Sequence, residues 1–296
     1  MPELPEVETV RLGLVPALEG QRLAKVITRR ADLRVPFSPS FAERLTGRRV
    51  LSLKRRAKYI LAETDGPDTL VIHLGMSGRL TIFGPDGSKA PGNFVIKSSA
   101  TKGAVDTHIY GPHDHVVLET DNGARIVYTD HRRFGVMILV EASKLYEHKL
   151  FKNLGPEPLE KSFTSARLSE ALRNKRTPIK AALLDQRVVA GLGNIYVCEA
   201  LFRAKISPKR MASSVAGARA KRLVPAIKDI LRKAIAAGGS SLRDYAHTNG
   251  ELGYFQHSFS VYDRQDKACP RKTCGGKIKR LVQAGRSTWY CSTCQR

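Results

Sequence analysis

Four cysteines stand near the end of the chain at Cys269, Cys274, Cys291 and Cys294, spaced C-x4-C-x16-C-x2-C. Two close pairs separated by a stretch that reads strand, turn, strand make a tetrahedral zinc site, and such a site folds a hairpin too small for a core of its own. Disulfides are the alternative, which a reducing compartment disfavours. Four protein ligands leave no open position, so the expected ion is one structural Zn2+ rather than a catalytic one. Cys198 lies apart on an apolar segment and reads as a buried thiol. At the other end the chain opens MPELPEVETV. Removal of Met1 would expose the secondary amine of Pro2 beside the carboxyl of Glu3, a nucleophile next to a group that can move a proton. Glu6 either supports that site or simply suits the positive end of a helix.

Two further stretches carry groups with chemistry. Gln283, Ala284, Gly285 and Arg286 occupy the turn of the cysteine hairpin. A lone exposed arginine usually serves solubility, but on a rigid tip it suits insertion into DNA or a phosphate clamp. His113, Asp114 and His115 put two histidines on one face of a strand. No further ligand cluster accompanies them, so a metal site is not expected there.

The elements that must hold these groups follow from periodicity. Residues 4–18 read as a helix with Pro5 in its first turn and Gly20 past its end. Val7, Val10, Leu14 and Leu18 share one face, which packs inward and fixes Pro2. The runs QRLAKVITRR, RRVLSLKRRAKYILAET, TLVIHLGMSGRLTIFG, HVVLETDNGARIVYTD and FGVMILV are β-branched and separated by turn residues, which predicts an antiparallel sandwich or barrel. Gly84 to Gly111 reads as a long surface loop. Beyond about residue 160 the period becomes helical in SFTSARLSEALRNK, TPIKAALLDQ, NIYVCEALFRAK and GARAKRLVPAIKDILRKAIAAG. Pro178 suits a first turn, and Gly238 with Gly239 a stop.

Charge narrows the partner. The 296 residues carry a net +23 and are 42% hydrophobic. Residues 1–160 hold 23 basic and 19 acidic side chains, whereas residues 161–296 hold 27 and 8. Such an imbalance repels itself unless a polyanion is near, and nucleic acid is the expected partner. No apolar run approaches the roughly 18 residues of a membrane span. The acidic start is unlike a signal peptide. The expectation is a soluble cytoplasmic protein with no membrane partner, monomeric by its asymmetric charge.

PELPEVETV, RRAKY, HLGMSG, HDHV, YTDHRRFG, LGPEPL, GLGNIY and GRSTWYCSTCQR, in that order over nearly the whole chain, resemble the bacterial formamidopyrimidine-DNA glycosylases, which repair oxidised purines. The resemblance implies an α+β fold. A catalytic β-sandwich domain with an N-terminal helix would span residues 1–150, a helical helix-two-turns-helix domain 151–260, and a zinc-finger β-hairpin 261–296. It implies damaged double-stranded DNA as partner, a flipped nucleotide, a Schiff base on Pro2 and β,δ-elimination. Glu3 would be the general acid and base. Lys58 would assist the first elimination and Arg286 the later one. His73, His113, Lys175 and Asn194 match DNA-contacting positions. Met76, Arg132 and Phe134 match the triad that fills the space of the flipped base, with Arg132 on the opposite cytosine.

Bland readings exist for each of these residues: a cation on a basic strand for Lys58, a hydrogen-bonded strand histidine for His73, core packing for Met76 and Phe134, an ordinary turn around Gly191 and Gly193. Two departures stand out. The Gly84–Gly111 loop is longer than in compact members, and His131 replaces the common proline of YTDPRRFG. Related enzymes of the endonuclease VIII type use the same proline on oxidised pyrimidines, but the PELPEV start and the Arg132 and Phe134 pair favour purines. Retention of Pro2, Glu3, Lys58 and Arg286 argues against a DNA-binding relative without catalysis. Base selection is expected in GGSSLRDYAHTNGELGYFQ.

Overall fold

A computed structural model describes residues 2–85, 110–240 and 254–296. Most of the Gly84–Gly111 loop and of the segment expected to select the base lie outside the described residues. The described residues fall into two compact units, one drawn from Met1–His148 and Gly238–Gly253, the other from Lys149–Ala237 and Tyr254–Arg296.

The first unit begins with α1 (Leu4–Leu18), capped by a reciprocal pair. The Glu3 N–H donates to Glu6 Oε2 at 2.9 Å, and the Glu3 carboxylate accepts the Glu6 N–H. This capping box satisfies two donors that a helix start leaves open. Pro5 stands in the first turn, where its missing N–H costs nothing. Val7, Val10, Leu14 and Leu18 are all buried.

That apolar face packs onto a β-sandwich. One sheet has the order β1 (Leu23–Thr28), β6 (Asp114–Thr120), β7 (Arg125–Thr129), β5 (Arg79–Phe83), and the other β2 (Val50–Arg56), β3 (Tyr59–Thr64), β4 (Asp68–His73), β8 (Val136–Glu141). Every neighbouring pair is antiparallel. Ile60, Leu70 and Ile72 of one sheet meet Leu118, Ile126 and Tyr128 of the other in a single core with the α1 face.

Two expected runs resolve differently from a simple reading. RRVLSLKRRAKYILAET is two strands joined by a two-residue turn at Ala57 and Lys58, with Ala57 at φ 53°. Lys58 is therefore on a turn, not on a strand. TLVIHLGMSGRLTIFG is also two strands, and they belong to different sheets.

The second unit holds α3 (Ser165–Leu172), α4 (Ile179–Leu184), α5 (Asn194–Arg203) and α6 (Ala218–Ala236), after a short α2 (Phe41–Leu45) in the first unit, and the hairpin β9 (Ile278–Gln283) with β10 (Arg286–Cys291). Ala284 and Gly285 both take positive φ, 48° and 70°. This is the pattern of a two-residue turn that matches strand twist, and only glycine adopts it without strain. Cys198 and Phe202 of α5 pack against Ile278, Trp289 and Cys291, so the hairpin and the helix share a core.

Two buried charges bind the parts of this unit together. The Glu199 carboxylate on α5 accepts the N–H groups of Ser260, Val261 and Tyr262, each at 2.9 Å. Lys180 on α4 has no exposed surface, and its Nζ donates to the Ser287 carbonyl at 2.8 Å and to Thr288 Oγ1 at 2.7 Å. Glu199→Ala would leave three backbone donors without their acceptor. It is expected to lower stability by about 3 kcal/mol in urea unfolding. A loss below about 1 kcal/mol would mean those groups reach water instead.

Candidate DNA-processing site

In the first unit, α1 and the β2–β3 turn carry the positions expected to do chemistry. Pro2 and Glu3 are buried at the start of α1. Glu6 is buried as well and accepts, besides the Glu3 N–H, the N–H of Ser240 at 2.8 Å and its hydroxyl at 2.9 Å. Farther along α1, Glu8 accepts from Arg55 Nε at 3.0 Å, and Arg55 donates to the Ala57 carbonyl at 2.9 Å. Burial works against the Glu8 charge, but Arg11 and Arg55 outweigh it and hold its carboxyl below the usual range. One chain of bonds therefore runs from the helix that carries Pro2 and Glu3 to the turn that carries the buried Lys58.

His73 ends β4 opposite Tyr59, with the two rings 4.9 Å apart. Burial first, and then the charges of Lys58 and Arg34, hold its pKa down to about 4. Its Nδ1 accepts the Gly75 N–H at 3.0 Å, which leaves the ring proton on Nε2. His73 is thus a neutral donor at physiological pH.

Beyond it opens a cleft of about 540 Å³ lined by Leu33, Arg34, His73, Met76, Arg132 and Phe134. Met76 is half-buried, Arg132 and Phe134 are exposed, and the Arg132 guanidinium lies 4.8 Å above the Phe134 ring. The structure therefore gathers His73, Met76, Arg132 and Phe134 on one surface, although 58 residues separate Met76 from Phe134 in sequence.

His113 is exposed and just precedes β6, so it is not a strand residue. Its ring centroid lies 6.5 Å from that of His115 and 6.3 Å from that of His131. The His113 carbonyl accepts the Asp130 N–H at 3.0 Å, and His115 Nε2 lies 2.8 Å from the Asp130 carbonyl. The two histidines thus clasp the backbone of Asp130.

In the second unit Lys175 reaches Asp185 at 3.4 Å, while Arg187 holds the same carboxylate at 2.9 Å. Arg187 chiefly lowers the Asp185 pKa to about 2, which makes Lys175 the looser partner. Asn194 opens α5, and its Nδ2 donates to the Ser287 carbonyl at 3.0 Å. The resemblance makes Asn194 a phosphate contact; one of the two N–H donors of its amide is bonded to the hairpin. Arg286, one residue before Ser287, is exposed at the hairpin tip. Lys180 and Asn194 together fix the strand from which it projects.

Zinc bound tetrahedrally at about 2.3 Å from each thiolate places the sulfurs about 3.8 Å apart. The four Sγ atoms of Cys269, Cys274, Cys291 and Cys294 lie within 4.8 Å of one another, with Cys269 to Cys294 at 3.9 Å and Cys274 to Cys291 at 3.5 Å. None is in a disulfide. The all-thiol set fits one structural zinc ion, and among the described residues it is the one cluster with metal-binding geometry.

Sequence reasoning missed the polar groups behind these side chains. Ser77, Tyr128, Asp130 and Lys180 bear on the site only through hydrogen bonds. A lysine between Ile179 and Ala182 on an otherwise apolar helix was the one visible signal. No described helix is long and apolar enough to cross a membrane.

Comparison with known proteins is consistent along the whole chain. Residues 1–137 match the formamidopyrimidine-DNA glycosylase N-terminal domain, residues 154–246 its H2TH domain, and residues 266–296 the zinc finger found in FPG and IleRS. The chain is 54% identical over 302 residues to the formamidopyrimidine-DNA glycosylase of Rhodopseudomonas palustris (strain BisA53), covering 100% of both. To that of Phenylobacterium zucineum (strain HLK1) it is 55% identical over 296 residues, again 100% of both. Among solved structures it is similar to MutM (Fpg) from Thermus thermophilus, with TM-score 0.82, 37% identity, and 99% and 98% of the two chains covered. It is also similar to Lactococcus lactis Fpg in complex with abasic-site DNA, with TM-score 0.82, 31% identity and 100% of both chains covered.

Two measurements follow from this geometry. His73 takes its proton near 6.5 when unfolded and near 4 when folded. Stability is therefore complete above about pH 6.5 and falls as pH drops toward 4. His73→Gln is expected to flatten that part of the stability profile, read by urea unfolding on either side of the window; an unchanged slope would assign it to other groups. Cys294→Ser is expected to abolish stoichiometric zinc, read by metal release on thiol modification, and to cut duplex affinity by at least about tenfold. Retained zinc or affinity would remove the four-thiolate assignment.

Proposed function

The chain belongs to the formamidopyrimidine-DNA glycosylase family, and from that membership we propose a bifunctional base-excision-repair enzyme that removes oxidised purines from duplex DNA and then cuts the strand. The full-length family match, taken together with Pro2 and Glu3 at the buried start of α1, carries this reading. Its substrates are 8-oxoguanine and formamidopyrimidines in damaged double-stranded DNA, met by a monomer in the bacterial cytoplasm. Residues 1–150 act as the catalytic domain, 151–260 as the helical DNA grip and 261–296 as the zinc-stapled finger.

The damaged nucleotide leaves the stack before chemistry can begin. Once Met1 is removed, the Pro2 nitrogen attacks the sugar C1′. The glycosidic bond breaks with its electron pair going to the departing base, which leaves the amine singly bonded to C1′ of the closed sugar. The amine gives up its proton, and the C1′–O4′ bond then breaks as O4′ takes a proton, so that nitrogen and C1′ become an iminium. An α-amine suits this task because α-amines as a class titrate near 8, about two units below lysine. Glu3 supplies and recovers the protons as the sugar ring opens. The iminium acidifies the adjacent sugar carbon, so the 3′ phosphate is expelled first and the 5′ phosphate second. Lys58, a buried cation on a braced turn, assists the first departure. Arg286 on the finger assists the second and grips phosphate.

Recognition divides between positioning and filling. His73, neutral with its proton on Nε2, donates to a phosphate without adding charge. His113, Lys175 and Asn194 add contacts to the DNA backbone, with Gly191 and Gly193 letting the chain approach a phosphate. Met76 and Phe134 enter the space of the flipped base, and Arg132 pairs the orphaned cytosine. Their grouping on one cleft supports this role.

The test is borohydride trapping on two duplexes, one with 8-oxoguanine opposite cytosine and one with thymine glycol, comparing the native chain with Pro2→Gly. A covalent adduct forms chiefly on the first duplex and disappears in the variant. Preference for thymine glycol would move the chain to oxidised pyrimidines, and no adduct on either duplex would remove the prolyl nucleophile.

A further inference from the structure

The three side chains assigned to fill the duplex sit on two short segments that both cross between the sheets. Residues 74–78 leave β4 and enter β5 in the other sheet, and residues 130–135 leave β7 and enter β8 in the reverse direction. The strand register fixes where these crossings begin and end. His73 pairs with Val136, and Arg79 pairs with Thr129. The topology therefore lays the two crossovers side by side, whatever their side chains.

Their side chains then lock them. The Asp130 carboxylate has no exposed surface and receives four donors. Oδ1 accepts the Ser77 hydroxyl at 2.5 Å and the Arg132 N–H at 3.3 Å. Oδ2 accepts the Gly135 N–H at 2.8 Å and the Tyr128 hydroxyl at 3.2 Å. Ser77 in turn accepts the Arg132 N–H at 3.2 Å. Ser77 belongs to the segment of Met76; Arg132 and Gly135 flank Phe134. One carboxylate thus bonds to both crossovers at once, and a charge this deeply buried is retained only when its donors converge.

The backbones touch as well. Gly75, at φ 63°, approaches Phe134 so closely that a Cβ there would lie 2.4 Å from the Phe134 carbonyl carbon. A Cβ on Gly135 would lie 1.7 Å from the Tyr128 hydroxyl oxygen. Both sites admit glycine alone, and neither crossover can shift without the other.

We propose that Asp130 is the positioning residue of the duplex-filling triad, fastening the two crossovers into one rigid body so that Met76, Arg132 and Phe134 enter DNA as a single wedge. Ser77 and Tyr128 are its partners. A wedge offsets the cost of unstacking only if it does not first have to be ordered, and bonds internal to the protein meet that requirement. The inference rests on the reading of these three side chains given above.

Asp130→Asn replaces one oxygen by an amide that faces donors, so either the Gly135 N–H or the Arg132 N–H loses its acceptor. Ser77→Ala deletes one hydroxyl and guards against a variant that fails to fold. Phe134→Ala tests the underlying reading. Two single-turnover rates are compared for each: excision from the 8-oxoguanine duplex at saturating DNA, and borohydride adduct formation on a single-stranded abasic oligonucleotide, which has no stack to enter.

Asp130→Asn is expected to slow duplex excision by about tenfold to a hundredfold, with Ser77→Ala following in the same direction. The single-strand adduct stays within about twofold of native for both. The double variant Asp130→Asn with Phe134→Ala is slowed by less than the product of the two single effects, because the support then holds only Met76 and Arg132. Equal slowing of both reactions by Ser77→Ala, or native rates for both Ser77→Ala and Asp130→Asn while Phe134→Ala is slow, would overturn the positioning role and leave the wedge reading standing. Native duplex excision by Phe134→Ala would overturn the wedge reading, and the inference with it.

Discussion

Burying a carboxylate or an ammonium costs several kcal/mol unless hydrogen-bond partners converge on it, and this chain accepts that cost beneath nearly every segment that carries chemistry. Glu6 lies under the N-terminal proline segment and bonds the Glu3 and Ser240 amides. Asp130 lies under the cleft loops, Lys180 under the finger hairpin, and Glu199 under the stretch from Ser260 to Tyr262. In each case much of the partnership is with main chain. Side-chain pairs can exchange partners, whereas a main-chain group bonded to a buried charge fixes the path of the chain itself. Reactive residues on turns thereby acquire the rigidity of sheet and helix.

Topology sets up what the buried charges then secure. The sandwich places residues 74–78 and 130–135 next to each other because the strands they join are already paired in register. The α1 helix reaches the β2–β3 turn by another route, through Glu8 and Arg55. A helix packed on a core supplies a stable origin, and a guanidinium with two acceptors transmits it across a short gap. Pro2, Glu3 and Lys58 therefore depend on the packing of Val7, Val10 and Leu14 as much as on their immediate neighbours.

The legible part of the sequence was whatever expresses itself as a period or a spacing. Alternating strands narrowed the first part to a sandwich or a barrel, helical faces marked the helical segment and the C-x4-C-x16-C-x2-C pattern the metal hairpin, and the order of motifs pointed to the family and with it to the sandwich. The turn at Ala57 and Lys58 escaped because neither residue signals positive φ, so two strands read as one. TLVIHLGMSGRLTIFG gave no sign that its two strands belong to different sheets, because a change of sheet leaves the period intact. Asp130 stood in plain view within YTDHRRFG, yet its role depends on Ser77, which lies 53 residues away and meets it only through the fold. Asn194 is similar: its amide bond to the Ser287 carbonyl, 93 residues on, has no signal in the sequence.

Charge and shape serve different ends in this protein. The second half of the chain carries 27 basic residues against 8 acidic, and attraction of that kind acts on any DNA and weakens with salt. It concentrates the protein on duplex without telling one base from another. The first half is nearly balanced, and there His73 is kept neutral by burial and by the Lys58 and Arg34 charges beside it. A site crowded with more charge would hold phosphate more tightly wherever it landed, and so would favour undamaged DNA equally. Discrimination needs interactions that form only when a base can leave the stack, the task that the proposed function gives to Met76 and Phe134. On that proposal, affinity comes mainly from lysine and arginine in the second half of the chain, and selectivity from hydrogen bonds under a small wedge in the first.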